Sequence, residues 1–199
     1  MKTQLTLTLC LLAALVIAMV LGCGPAAPSV QVNEGLASPQ IVAGASAPRL
    51  LSGETALADA GPNDWVLIDQ KQDDNRYLVQ DYVKKGQTGT TWDNLVTYLN
   101  TVRPDESIMD FMNRQKGIME KKCSGAGWQI LSQAESEIVY ESKVASCPGV
   151  GDQDEVVRVI YGEANMFRIS YTSKVKEMPP AQRADALKLL SEFQVQKKS

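Results

Sequence analysis

Between Gly24 and Pro62 the chain carries no aromatic residue and few charges, and from Asn63 onward its character changes abruptly. No other feature constrains the fold as much. The earlier stretch is mostly Ala, Gly, Pro and Ser, and it cannot bury enough apolar surface to offset the entropy of being ordered. It reads as a tether, and about 39 residues of this kind reach roughly 35 Å on average. A short helix from Leu50 to Ala58 is the alternative within it. What can build a core lies in residues 63–199, enough for one domain and too little for two.

Within that stretch the local patterns alternate between strand and helix. Trp65 to Ile68 and Arg76 to Val83 are β-prone runs around the polar turn Lys71 to Asn75, and they predict a hairpin. Gly86 to Thr91 is a loop. Trp92 to Val102 reads two ways: Trp92, Leu95, Val96 and Leu99 fit a helical face, whereas Val96-Thr97-Tyr98 favours a strand. A helix is expected over Asp105 to Lys122, behind Pro104, with Ile108, Phe111, Met112 and Met119 near helical spacing. Gly117 weakens it by roughly 1 kcal/mol relative to alanine.

After the breaker Ser124-Gly125-Ala126-Gly127, Trp128 to Ser132 reads as a strand. Ile138, Tyr140 and Val144 alternate with Glu141 and Lys143, as in a strand with one wet face. Val156 to Tyr161 and Phe167 to Tyr171 form a second hairpin around Gly162 to Asn165. A last helix opens at Pro179-Pro180, with Ala186, Leu189, Leu190 and Phe193 on one side. The fold class is α+β: a mostly antiparallel sheet of about six or seven strands with two helices.

The first 22 residues have the order of an export signal: charged Met1-Lys2, an apolar run from Leu5 to Leu21, then small Gly22 before Cys23. An uncleaved anchor is the alternative, because the run approaches the roughly 20 residues of a spanning helix. Gly22, Gly24 and Pro25 crowd the end where such an anchor would continue. Val20-Leu21-Gly22-Cys23 resembles the lipobox of bacterial lipoprotein precursors. That resemblance covers the first 23 residues and implies cleavage after Gly22, a thioether lipid on Cys23 and acylation of the new amino terminus. Its sorting rule, with Gly24 in place of aspartate, implies the outer membrane of a Gram-negative envelope, facing the periplasm. Several acyl chains give stable attachment where one would not.

An exported chain meets an oxidising compartment. Cys10 leaves with the signal and Cys23 carries the lipid, so Cys123 and Cys147 remain as an even pair and read as a disulfide. It closes a loop of roughly 24 residues, which the chain-entropy account values at about 3 kcal/mol. Two buried free thiols are the alternative.

There is no histidine, which removes the usual Ser-His-Asp and Cys-His nucleophiles and the common histidine-containing zinc sites. The net charge of −3 is spread along the chain with no basic stripe, so nucleic acid is not an expected partner. Asp152-Gln153-Asp154-Glu155 offers oxygen ligands at alternate positions, but it completes no calcium loop and reads as a solvated turn. Glu135, Glu137 and Glu141 around a turn suggest an acid–base pair or, more simply, charges that keep an edge soluble. Trp65, Trp92 and Trp128 read as core anchors rather than a binding groove. Lys121-Lys122 complement a helix dipole, and Gly125-x-Gly127 is a turn. No catalytic residue, metal ligand or cofactor is assigned.

Gly86-Gln87-Thr88 followed by Trp92-Asp93-Asn94-Leu95-Val96-Thr97 resembles a loose group of small envelope proteins without assigned function, over residues 64–195. Cys123, Cys147, Glu155, Gly162 and Tyr171 match the order of that group, which implies a strand at the ambiguous Trp92 segment. The order of elements is also similar to the PsbP/Mog1-like sandwich, a topological likeness only.

The expected protein is thus a non-enzymatic lipoprotein held at the membrane by Cys23, with an envelope protein as partner. A carrier or sensor of a small apolar ligand is the first alternative, and a carboxylate-based hydrolase the second. A large apolar pocket would favour the carrier, and convergent buried carboxylates with shifted pKa values the enzyme. An exposed apolar patch would favour the partner-binding module.

Overall fold

Residues 54–57, 64–73, 76–123 and 125–197 are described in a computed structural model of the chain. Gly22, Cys23 and most of the stretch read as a tether lie outside the described residues.

The β-prone runs pair in sequence order from Trp65. β2 (Trp65–Asp73) pairs with β3 (Tyr77–Lys84), and β3 with β4 (Asn94–Val102). After helix α1 (Ile108–Lys122), β5 (Gly127–Gln133), β6 (Glu137–Cys147), β7 (Gly151–Tyr161) and β8 (Asn165–Ser173) form a four-stranded meander. β8 then closes on β4, giving one antiparallel seven-stranded sheet in the order β2-β3-β4-β8-β7-β6-β5. Helix α2 (Pro180–Ser191) follows, and β9 (Gln194–Lys197) pairs antiparallel with β1 (Glu54–Leu57) in a separate two-stranded ribbon. The architecture is α+β with two helices and one disulfide, as the sequence pattern predicts. β1 lies within the stretch read as a tether.

The ambiguous segment is a strand. Val96 to Thr101 are all buried, because β4 is central and covered on both faces. A strand covered twice reads as a continuous apolar run rather than an alternation, and this is why Leu95, Val96 and Leu99 mimicked a helix. α1 starts at Ile108, later than the expected Asp105, because Ser107 caps it. The Ser107 Oγ accepts the Asp110 amide N–H at 3.1 Å, which satisfies one free donor of the first turn. Ile108, Phe111, Met112 and Gln115 form its buried stripe.

The register sorts the side chains of the sheet onto two faces. Leu78, Tyr98, Val156, Phe167 and Ile169 lie beneath Met178, Ala186, Leu190 and Phe193 of the α2 region. Ile138, Tyr140 and Val144 point to the opposite face, where Val144 packs against Cys123 and Met119 at the end of α1. Cys123 and Cys147 are joined by a disulfide with their α-carbons 4.7 Å apart, inside the span a bridge requires. It ties the C-terminal end of α1 to the end of β6.

Candidate functional site

Two arginines sit inside apolar strand runs and a third on α2, and each is matched to a carboxylate. Arg158 interrupts Val156-Val157 and Val159-Ile160 on β7. Its guanidinium donates Nε and Nη2 to the Glu137 carboxylate at 3.0 Å each, and Nη1 to the carbonyl oxygens of Leu190 and Phe193 at 2.7 and 2.8 Å. Those carbonyls have no intrahelical donor at the end of α2, so Arg158 caps the helix from the sheet.

Arg168 on β8 faces the other side of the sheet. It donates to Glu155 Oε1 at 2.9 Å and to the Ser170 hydroxyl at 3.2 Å, while Thr172 donates to the same Glu155 oxygen at 3.2 Å. Burial pulls the Arg168 pKa down, but Glu155 and Tyr140 outweigh it and raise it. On the same face Thr97 donates to Asp81 at 2.7 Å. Burial pushes the Asp81 carboxyl up, against the opposing effect of that Thr97 bond. A polar stripe therefore crosses this face from β3 to β7.

The third arginine, Arg183 on α2, donates Nε and Nη2 to the two oxygens of Glu141 at 3.2 Å each. Glu141 and Asp154 are buried side by side under the β8–α2 connection, with Lys143 Nζ 3.7 Å from each. These carboxylates do converge, and burial raises the Asp154 pKa. Both are closed from solvent, at 3 % and 0 % exposure, and each is engaged by protein groups. Their geometry anchors α2; it offers no open face to a substrate.

An open cleft of about 600 Å³ lies between the β4–α1 and β7–β8 connections, lined by Arg103, Asp105, Glu106, Ser107 and Glu163 among others. Its walls are charged, unlike the large apolar pocket expected of a carrier. Beside it Arg103 stacks on the Tyr161 ring at 5.0 Å, and burial pushes the Tyr161 hydroxyl up to about 12.

Among the described residues, three of the four exposed large apolar side chains lie on the terminal strands; the fourth, Val102, 49 % exposed, ends β4. On the terminal strand β2, Leu67 is 40 % and Ile68 36 % exposed; on the other terminal strand, β5, Ile130 is 42 % exposed. Bulges fall at Leu67/Asp69 and at Ile130/Ser132, so the apolar exposure and the irregular register coincide at both edges.

The positions singled out in the sequence separate into distinct places. Asp152 to Glu155 do not form a solvated turn: they lie in β7, where Lys143 and Arg168 provide the charge that lets acids enter the sheet. Glu135 is exposed, whereas Glu137 and Glu141 are held by Arg158 and Arg183 rather than keeping an edge wet. Trp92 is buried; Trp65 packs edge-on against Tyr171 at 5.9 Å, and Trp128 against Tyr140 at 5.0 Å on the opposite face. The three tryptophans share no groove. Gly162 is in the β7–β8 turn, where its carbonyl accepts from Arg103 at 3.0 Å. Lys121 and Lys122 are exposed on the last turn of α1, and Gly125 turns the chain at φ +86°. The arginines were missed. For Arg158 and Arg168 the signal was a single charge inside an apolar run, which demands a buried partner; Arg183, outside any apolar run, carried no such signal.

Among the described residues no group of three or more His, Cys, Asp and Glu side chains is arranged to hold a metal ion, and no helix is long and apolar enough to cross a membrane. The fold and these clusters define an antiparallel α+β domain fastened by a disulfide and by buried arginine–carboxylate pairs. No protein-family model matches the chain, and no curated protein matches it.

Proposed function

We propose that this chain is a non-enzymatic envelope lipoprotein, anchored through Cys23, whose domain binds an extended segment of another envelope protein along β2. The observation that carries the partner-binding reading is the pair Leu67 and Ile68, both exposed on the terminal strand of the sheet. A terminal strand presents backbone donors and acceptors along one side, and natural sheets normally guard it with charge or proline. β2 carries Asp69, Lys71 and Asp73 along its second half, but before them, at the bulge, two adjacent apolar side chains stand exposed. A peptide added as an eighth strand would gain main-chain bonds from the edge and apolar contact from these two residues.

The anchor rests on the lipobox resemblance. A tethered domain meets membrane partners at raised effective concentration, provided the tether spans the distance between the two sites. The outer membrane, facing the periplasm, is the location that Gly24 implies.

The test is a photo-reactive residue at position 68 of the lipidated protein in its own membrane, with the same residue at exposed Asn113 of α1 as control. The reading requires a discrete adduct from position 68 that is absent from position 113 and is lost when Leu67→Lys is added. Equal labelling from both positions, or none from position 68, would refute it.

A further inference from the structure

Asp154 has an unusual pair of oxygens. Its Oδ2 accepts the Met178 amide N–H at 2.7 Å, whereas its Oδ1, equally buried, meets no hydrogen-bond donor. A buried anionic oxygen without a donor is costly. Glu141, itself an acceptor, is the adjacent carboxylate: Lys143 Nζ lies 3.7 Å from an oxygen of each. The two fit together when Asp154 carries a proton and donates it.

The surrounding charges agree. On β6, Glu141 and Lys143 face the site; on the β8–α2 connection, Glu177 lies 3.1 Å from Lys143 Nζ; on α2, Arg183 holds Glu141. Ser173, opposite Asp154 on β8, is neutral. Three carboxyl groups therefore face two cations, and one proton balances the cluster.

We propose that Asp154 donates a proton to Glu141 and that this bond is a pH-operated latch, fixing the β8–α2 connection and α2 on the sheet. When the proton is lost to water, through the side of the cluster opened by Lys143 and Glu177, an anionic Oδ1 is left facing Glu141. Lifting the connection relieves this by hydrating Asp154 and separating it from Glu141, at the cost of the Met178 bond. The latch holds the N-terminal end of α2, whose other end runs through Phe193 into β9.

Burial pushes the Asp154 carboxyl up; the Met178 N–H opposes this, Glu141 adds to it and Lys143 opposes it. Because the folded value is raised, the latch is complete below the ordinary aspartate value of 3.8 and is lost as pH rises through the folded value.

The experiment is a carboxyl-carbon NMR titration of Asp154 in the full chain, together with hydrogen exchange at the Met178 amide. Wild type should titrate with a midpoint above 3.8. Protection at Met178, corrected for intrinsic exchange, should fall through the same midpoint. Glu141→Gln should lower the midpoint by removing the neighbouring anion. Asp154→Asn keeps an acceptor for Met178 and supplies an N–H toward Glu141, so protection should become independent of pH. A wild-type midpoint at or below 3.8, or one that Glu141→Gln leaves unmoved, overturns the latch. Those two readings need only wild type and Glu141→Gln, and they stand even if Asp154→Asn does not fold.

Discussion

Arg158 on β7 grips Glu137 on β6 through two bonds of equal length, 3.0 Å each, while its remaining nitrogen closes the end of α2. One side chain therefore joins two strands and a helix. Replacing it leaves Glu137 and the Leu190 and Phe193 carbonyls without their donor.

Arg158→Met should lower stability by roughly 2–3 kcal/mol, the scale of losing hydrogen bonds to a charged group. Urea unfolding would read this as a lower midpoint at unchanged slope. A variant as stable as wild type would mean that water replaces the guanidinium at no cost.

The disulfide gives the second prediction. Cys123→Ser or Cys147→Ser should cost up to about 3 kcal/mol and leave membrane attachment unchanged. Two reactive thiols at these positions in denatured, unreduced wild type would show that no bridge forms in the cell.

Asp81 sets a pH dependence of its own on the opposite face from Asp154. Its folded pKa is raised, first by burial, so its contribution to stability is complete below 3.8 and declines as pH rises through the folded value. Asp81→Asn should flatten that part of the stability–pH curve, measured by thermal melts across the acid range. An unchanged slope would assign it to other carboxylates.

The anchor is tested by mass and by labelling. Cys23→Ser should leave a full-length, unlipidated precursor that incorporates no palmitate. Wild-type protein that still carries Met1 to Gly22 at maturity would end the lipoprotein reading.

Much of the fold was legible in the sequence. The hairpin from Trp65 to Val83, the alternation of Ile138, Tyr140 and Val144, and the proline-opened last helix each rest on patterns within a few residues, and local patterns are what a sequence displays. β4 was harder, because a strand covered on both faces loses the alternation that identifies it. β1 was missed for a related reason: Glu54 to Leu57 has too few apolar residues to declare itself, and it becomes a strand by pairing with β9 about 140 residues away in sequence.

By itself the sequence determined the α+β class, most strands of the seven-stranded sheet and the pairing of Cys123 with Cys147. Tertiary structure alone decided where the charges went. Glu137, Glu141 and Asp154 look like solvent-facing acids in one dimension, and Arg158, Arg168 and Arg183 look like isolated bases. An acid can enter the interior only beside a charge or donor that offsets its lost hydration, and that partner is supplied by a neighbouring strand or helix. Which arginine meets which carboxylate depends on register and on where α2 lands. Those are properties of the assembled sheet, not of any stretch of chain.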